Sequence, residues 1–308
     1  MNMPVSKLGF RALGTEIFLE IVLNGVYEKK KAESNLEETK RIYEEKQKVF
    51  CRFNPESELN RINKNIGAWQ KASKDMLFLA ERALFYNKIS GGLYDPRVIE
   101  ILEKIGYGKD FRKNDFSKMK APVNFDKIEK NLGDDLKIKN GKIFFARRMD
   151  FSGIAKGYIT DCAAEFLKQS GWKNFLIDSG GDMFATGKNA EGEKWRIEIE
   201  DVPKEKLMLE ITERGIATSG ISRKKWEIKG KKFHHLVNPK NPNKFSYELR
   251  TVSVIAENTE NADGRAKTLV LMGKEKGPRF AKENKIAAIF LDYRGNIRVS
   301  PEAKKYIY

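Results

Sequence analysis

Apolar and polar positions alternate in two registers along this chain, and the switch between them marks its elements. Glu16-Ile-Phe-Leu-Glu-Ile-Val-Leu23, entered from Phe10-Arg-Ala-Leu-Gly-Thr15, reads as a strand. Ala32, Leu36, Tyr43 and Phe50 then recur at helical spacing and predict a helix over 29–50. A second helix is predicted over 74–89, with Ser73 placed to cap it. Gly91-Gly-Leu-Tyr-Asp-Pro96 breaks the pattern, and the lysine-rich stretch 109–124 reads as a surface connection. Residues 137–145 form a hairpin with a type I′ turn at Asn140-Gly141. Residues 160–170 read as a helix ended by Gly171, and 175–178 as a short buried strand. Half-buried strands are predicted at 195–200 and 207–212, a small-residue loop at 215–220, and a hairpin at 226–235 turning on Lys229-Gly230. A strand at 251–256, a helix from 262 to Gly273 and a hairpin of 286–291 with 296–299 complete the chain. Strands and helices mix without regular β-α-β alternation and without repeats. The expected class is therefore α+β, antiparallel sheets with surrounding helices, in one compact unit over 1–308.

Composition narrows the class of protein. A chain of 308 residues is long enough to bury roughly three quarters of its unfolded surface. No apolar run reaches the ~18 residues of a membrane helix, and Met1-Asn-Met-Pro-Val-Ser-Lys-Leu-Gly-Phe10 lacks the apolar core of a signal peptide. A cytoplasmic location is the expectation. The two cysteines, Cys51 and Cys162, belong to no C-x-x-C pair, which argues against structural zinc. The net charge of +16 admits nucleic acid or a polyanionic small molecule as partner. The lysines, however, are spread along the chain and mixed with glutamates, as in a solvated surface, and no nucleic-acid motif is present.

Chemistry concentrates in Asp150-Phe-Ser-Gly-Ile-Ala-Lys-Gly-Tyr-Ile-Thr-Asp161 and Leu176-Ile-Asp-Ser-Gly-Gly-Asp182. An acid, small residues and a lysine precede a helix pattern, and a Gly-Gly pair lies between two more acids. Small residues admit a ligand close to the backbone, and amides at a helix start favour anions. This combination points to a phosphate-bearing ligand. Neither a Walker loop nor a dinucleotide fingerprint is present. Trp195 and Trp226 read as core residues.

Together with Leu13-Gly-Thr15, Ser57-x-Leu-Asn60 with Asn63, Tyr94-Asp-Pro96, Gly192-x-x-Trp195, Thr218-Ser-Gly220 with Arg223, His234-His-Leu-Val-Asn-Pro239, and Ala262-Asp263 before Gly273, these blocks give the chain a specific resemblance. It resembles the ApbE family, the FAD:protein FMN transferases. The resemblance implies cleavage of FAD at its pyrophosphate, transfer of FMN to a threonine hydroxyl of a target protein, release of AMP, and magnesium. It gives His235 the part of general base and Asp263 that of metal ligand, with the backbone carbonyl of Gly153 as a second ligand. On a strand His234 would face away from its neighbour. Asp150 and Lys156 would contact FAD. Leu13 stands where many relatives carry methionine beside the flavin. Asn60, Tyr94, Asp95, Gly180, Gly181, Asp182, Thr218 and Ser219 would shape the cofactor cleft.

Two departures bear on mechanism. Asn238 replaces an aspartate usual after the histidine block. Lys267 stands four residues after Asp263, where the family's second metal side chain is a threonine, and Thr268 is rotated about 100° away. Lys267 either pairs with Asp263 or takes over part of the metal's role. Hydrolysis of FAD to FMN and AMP at the same site, and flavin binding without catalysis, stay open as alternatives.

Overall fold

The computed structural model describes residues 2–108, 116, 119, 124–203 and 205–308. The strands are β1 (Val5–Ala12), β2 (Thr15–Val22), β3 (Trp69–Lys71), β4 (Leu136–Lys139), β5 (Lys142–Phe145), β6 (Phe175–Asp178), β7 (Met183–Thr186), β8 (Trp195–Glu198), β9 (Met208–Ile211), β10 (Arg214–Gly220), β11 (Lys225–Ile228), β12 (Lys231–His234), β13 (Leu249–Ala256), β14 (Ala287–Asp292) and β15 (Ile297–Val299). The helices are α1 (Lys29–Phe50), α2 (Glu58–Lys64), α3 (Lys74–Ile89), α4 (Ile99–Leu102), α5 (Leu132–Asp135), α6 (Ser152–Gln169) and α7 (Thr259–Glu283). Eight strands form one antiparallel sheet in the order β1-β2-β6-β7-β10-β13-β14-β15. Small sheets β3-β5-β4, β8-β9 and β11-β12 flank it. The α+β expectation holds.

Alternation assigns the two faces of the large sheet. Val252, Val254 and Ala256 of β13 and Ala288 and Phe290 of β14 pack with Ala262, Ala266 and Leu269 of α7. The intervening Ile255, Ala287, Ile289 and Leu291 pack instead with Trp195, Ile197, Leu209 and Ile211 of the β8–β9 hairpin. Successive side chains point to opposite sides, so β13 and β14 are covered on both. A third cluster lies under α1, α3 and α6, where Tyr43, Tyr86, Phe151 and Phe175 are fully buried.

Helices α1 and α3 follow their apolar periodicity, and Ser73 caps α3 by accepting the Met76 N–H at 3.1 Å. The turn residues Asn140 and Gly141 both carry positive φ, 49° and 70°, as a type I′ hairpin requires. Three expectations need correction. The segment before Ala12 is a strand, β1, paired with β2 along its length. Residues 215–220 are not a loop but most of β10, between β7 and β13. Their small side chains reflect crowding: a Cβ on Gly215 would lie 2.3 Å from the Asn258 carbonyl carbon. Helix α6 starts at Ser152, not near 160, because Ile154, Ala155 and Ile159 are already buried on it. The expected helix end at Gly273 holds: with φ 81° and ψ -177° the backbone leaves helical geometry there, and the second part of α7 returns Ala281 to the same core. The expected connection over 109–124 lies almost wholly outside the described residues.

Candidate active site

The site is assembled where α6 begins. Asn63 fixes the approach to it, donating to the Met149 carbonyl and accepting the Met149 N–H, each at 2.8 Å. The next residue, Asp150, accepts the Ser152 N–H at 2.8 Å and the Ser152 hydroxyl at 2.9 Å, which anchors the start of α6. Arg52 Nε lies 3.4 Å from Asp150 Oδ2, with both side chains almost fully buried. The guanidinium lies over the rings of both Phe53 and Tyr107 and donates to the Tyr107 carbonyl. Its Nη1 is buried and has no hydrogen-bond partner among the described residues. Sequence reading missed Arg52. The only signal was its place just before the Ser57–Asn60 block.

Lys156, one turn into α6, pairs with Asp182 at 2.8 Å and approaches the Gly180 carbonyl at 3.5 Å. Burial opposes its charge, but Asp182 and Asp263 outweigh that, so the ammonium is held above the usual lysine range. Asp182 closes the β6–β7 turn, where its carbonyl accepts the Ser179 N–H at 2.8 Å. Its carboxylate also accepts the Thr218 N–H at 3.4 Å. Gly180 and Gly181 supply the positive φ values, 64° and 97°, of this turn. A Cβ on Gly180 would lie 2.1 Å from Thr15 Oγ1, so the turn sits directly against the β1–β2 turn that carries Leu13.

Helix α7 supplies Asp263. One of its oxygens accepts the Gly157 N–H at 3.3 Å, and a Cβ on Gly157 would lie 2.6 Å from the Thr259 carbonyl oxygen. Glycine at 157 therefore permits the α6–α7 crossing that brings Asp263 to Lys156. Burial, reinforced by Asp182 and opposed by Lys267 and Lys156, raises the Asp263 carboxyl to about 8. Lys267 lies along Gly153: a Cβ there would be 3.0 Å from its Nζ and 3.2 Å from its Cδ. Burial lowers the Lys267 ammonium from its ordinary value, with Asp263 acting in the opposite direction.

The two histidines divide as strand geometry predicts. His234 is buried; its Nε2 lies 3.0 Å from the Ser246 carbonyl, and its ring packs edge-on to Phe245 and Tyr247. His235 turns the other way, with its ring centroid 6.2 Å from that of Tyr107. Its Nδ1 has no partner among the described residues. Burial first, then the charges of Lys224 and Lys267, hold it well below the usual histidine value, so the ring is neutral at neutral pH. A neutral imidazole is competent to accept a proton.

Tyr94 belongs to the same assembly: its buried hydroxyl lacks a partner among the described residues, and Asp150 and Asp263 add to the effect of burial in raising its pKa. Other expected residues are placed differently. Asp95 gives both oxygens to Arg97, at 2.9 and 2.7 Å, and Arg97 also donates to Asp135 at 2.6 Å. That buried triad occupies the carboxylate expected at the cofactor. Asn60 donates to the carbonyls of Arg52 and Asn54, at 2.8 and 2.7 Å, and so holds the Arg52 loop in place. Thr218 turns its hydroxyl to Ser253, 2.8 Å away, while Ser219 is buried on β10. Asn238 accepts the Lys240 N–H at 2.9 Å within its own turn. Trp195 and Trp226 are buried, as expected of core residues.

The expected magnesium donors are Gly153, Asp263 and the side chain at 267. They do not form an oxygen site. Lys267 contributes a cation where a hydroxyl ligand is expected, and its ammonium covers Gly153. The Thr268 hydroxyl donates to the Gly264 carbonyl at 2.9 Å and is fully buried. Among the described residues no cluster of three or more His, Cys, Asp or Glu side chains is arranged to hold a metal. Magnesium favours near-octahedral oxygen coordination, and the lysine opposes it by charge.

The arrangement offers positive charge at Arg52, Lys156 and Lys267, a neutral imidazole, and a glycine-lined turn, which suits a phosphorylated ligand. Comparison with known proteins agrees. A Haemophilus influenzae protein named FAD:protein FMN transferase is 28% identical over 84% of this chain and 79% of its own length. A Vibrio cholerae protein of the same name is 27% identical over 82% and 78%. Among solved structures, the apo flavinyl transferase ApbE of Pseudomonas stutzeri superposes with a TM-score of 0.81, covering 100% of this chain and 99% of the other at 22% identity. The ApbE protein of Thermotoga maritima gives 0.82, over 99% and 100%, at 18% identity. The sequence profile of the ApbE family matches residues 13–290, and the chain belongs to that family.

Proposed function

We propose that this protein is an FAD:protein FMN transferase with a threonine hydroxyl of a target protein as acceptor. The observation that carries the reading is the Lys156–Asp182 pair, at 2.8 Å, beside the Gly180-Gly181 turn, with Asp263 tied to the same helix as Lys156 through the Gly157 N–H at 3.3 Å. Phosphoryl-type transfer needs positioning and positive charge more than covalent help from the protein. In the step, the threonine Oγ forms a bond to the FMN phosphorus of FAD. The bond from that phosphorus to the bridging oxygen breaks, and its electron pair leaves with AMP. The hydroxyl proton goes to His235, so the products are an FMN-phosphothreonyl protein and AMP.

In this reading Lys156, held charged by Asp182 and Asp263, faces the pyrophosphate. Arg52 is a second fixed cation behind Asp150. The Gly180-Gly181 turn lets the ligand approach backbone closely. The test is incubation of the purified protein with FAD and a threonine-bearing acceptor peptide, followed by mass spectrometry and nucleotide analysis. Peptide carrying one FMN with stoichiometric AMP, both lost in His235→Ala, is the expected result. FMN and AMP without labelled peptide would make water the acceptor, and uncleaved FAD in every condition would overturn the proposal.

A further inference from the structure

Lys267 is the residue that neither the sequence pattern nor the transfer step accounts for. It lies one helical turn after Asp263, on the same face of α7, and its chain runs along Gly153 at the start of α6. Its ammonium is 3.0 Å from where a Cβ on Gly153 would sit, so a side chain at 153 would crowd it. The nearest alternative oxygen on α7, the Thr268 hydroxyl, is turned to the Gly264 carbonyl at 2.9 Å. The geometry thus puts a covalently held cation against Gly153, on a side chain one helical turn from Asp263, where relatives are expected to hold a metal.

We infer that Lys267 serves as a built-in cation that replaces a divalent ion, so that this protein binds FAD without a metal. The inference rests on the assignment of FAD to this site. A tethered ammonium presents one charge and three donors to phosphate oxygens, whereas magnesium presents two charges. It is always present, and its strength is fixed by the fold rather than by metal concentration.

The experiment compares wild type, Lys267→Thr and Lys267→Met, each first shown to melt cooperatively. Manganese binding is followed by electron paramagnetic resonance, without and with FAD. FAD affinity is followed by flavin fluorescence in EDTA and in magnesium. Wild type is expected to show no saturable manganese site, and its FAD affinity to differ by less than about twofold between EDTA and magnesium. Lys267→Thr is expected to lose about tenfold or more in FAD affinity in EDTA and to recover it with magnesium, while Lys267→Met loses affinity in both. Stoichiometric manganese on the wild type, or FAD binding that EDTA abolishes, would overturn the inference and leave the functional assignment standing. No FAD binding in any condition would overturn both.

Discussion

The carboxylate of Asp263 on α7 accepts the backbone N–H of Gly157 on α6 at 3.3 Å, so the acid at the centre of the site is tied to the backbone of the helix that carries Lys156. The crossing is close because position 157 has no side chain. A Cβ there would meet the Thr259 carbonyl oxygen at 2.6 Å and the Glu260 Cα at 2.9 Å.

Gly157→Ala should therefore destabilise the protein, although alanine is the better helix former. The propensity gain is about 1 kcal/mol. The contact is with backbone, which cannot rotate away, and overpacking typically costs about 1–3 kcal/mol. Set against the propensity gain, urea denaturation should show a net loss of up to about 2 kcal/mol, and flavin titration a weaker FAD affinity as Asp263 is pushed from α6. A variant as stable as wild type would mean that the two helices separate freely at this point.

Asp95 separates a structural role from a binding role. Its partner Arg97 is buried and shared with Asp135. Breaking a buried pair costs about 3–5 kcal/mol when a charge is left alone, but here Asp135 remains, so Asp95→Asn should cost nearer 2 kcal/mol. In folded variant protein, FAD affinity should stay within about twofold of wild type. A large affinity loss with unchanged stability would return Asp95 to the cofactor.

Which features were legible in the sequence follows from how local their causes are. Helices α1 and α3, the Asn140-Gly141 and Lys229-Gly230 turns and the opposed histidines rest on spacing or on turn residues, and all were readable. Strand β10 was not, because Gly215 and Gly220 lack side chains on account of the Asn258 and Arg250 backbones, which are distant in sequence. The same cause hid the first turns of α6: Gly153 and Gly157 look like loop glycines but make room for Lys267 and Thr259. Arg52 was invisible because its partner Asp150 is brought to it only by folding. The Arg97 partner of Asp95 was not legible either, because a motif shows that a carboxylate is present, not which cation takes it.

Lys156 and Asp182 should respond unequally to removal. Asp182 is almost wholly buried, whereas the Lys156 side chain is 27% exposed. Lys156→Met leaves a carboxylate stranded in the interior and should cost about 3 kcal/mol or more. Asp182→Asn leaves an ammonium that water can reach, and its amide oxygen can still accept the Thr218 N–H, so the loss should be smaller. Chemical denaturation of the two variants checks the order. Equal losses would show that the pair is screened by solvent despite the burial of Asp182.

His234 predicts a pH dependence of stability. Burial lowers it to about 4, from an ordinary value of 6.5. Between those values the unfolded chain binds the proton and the folded protein does not. Its contribution is therefore complete above pH 6.5 and is lost as pH falls through about 4. The slope is at most about 1.4 kcal/mol per pH unit. His234→Phe should flatten that part of the stability profile, measured by urea unfolding at successive pH values.

His235 predicts the acid limb of activity. A base works in its neutral form, and this ring is kept neutral first by burial and then by Lys224 and Lys267. Protonation should set in only well below pH 6.5, the ordinary histidine value. The kcat/KM for FAD cleavage should accordingly stay flat on the acid side until the pH is clearly under that value. Lys224 is exposed and its charge only repels the protonated ring, so Lys224→Met should move the limb upward while leaving the plateau nearly unchanged. His235→Ala should remove both limb and plateau. An acid limb at or above 6.5, unmoved by Lys224→Met, would mean that a group other than His235 takes the threonine proton.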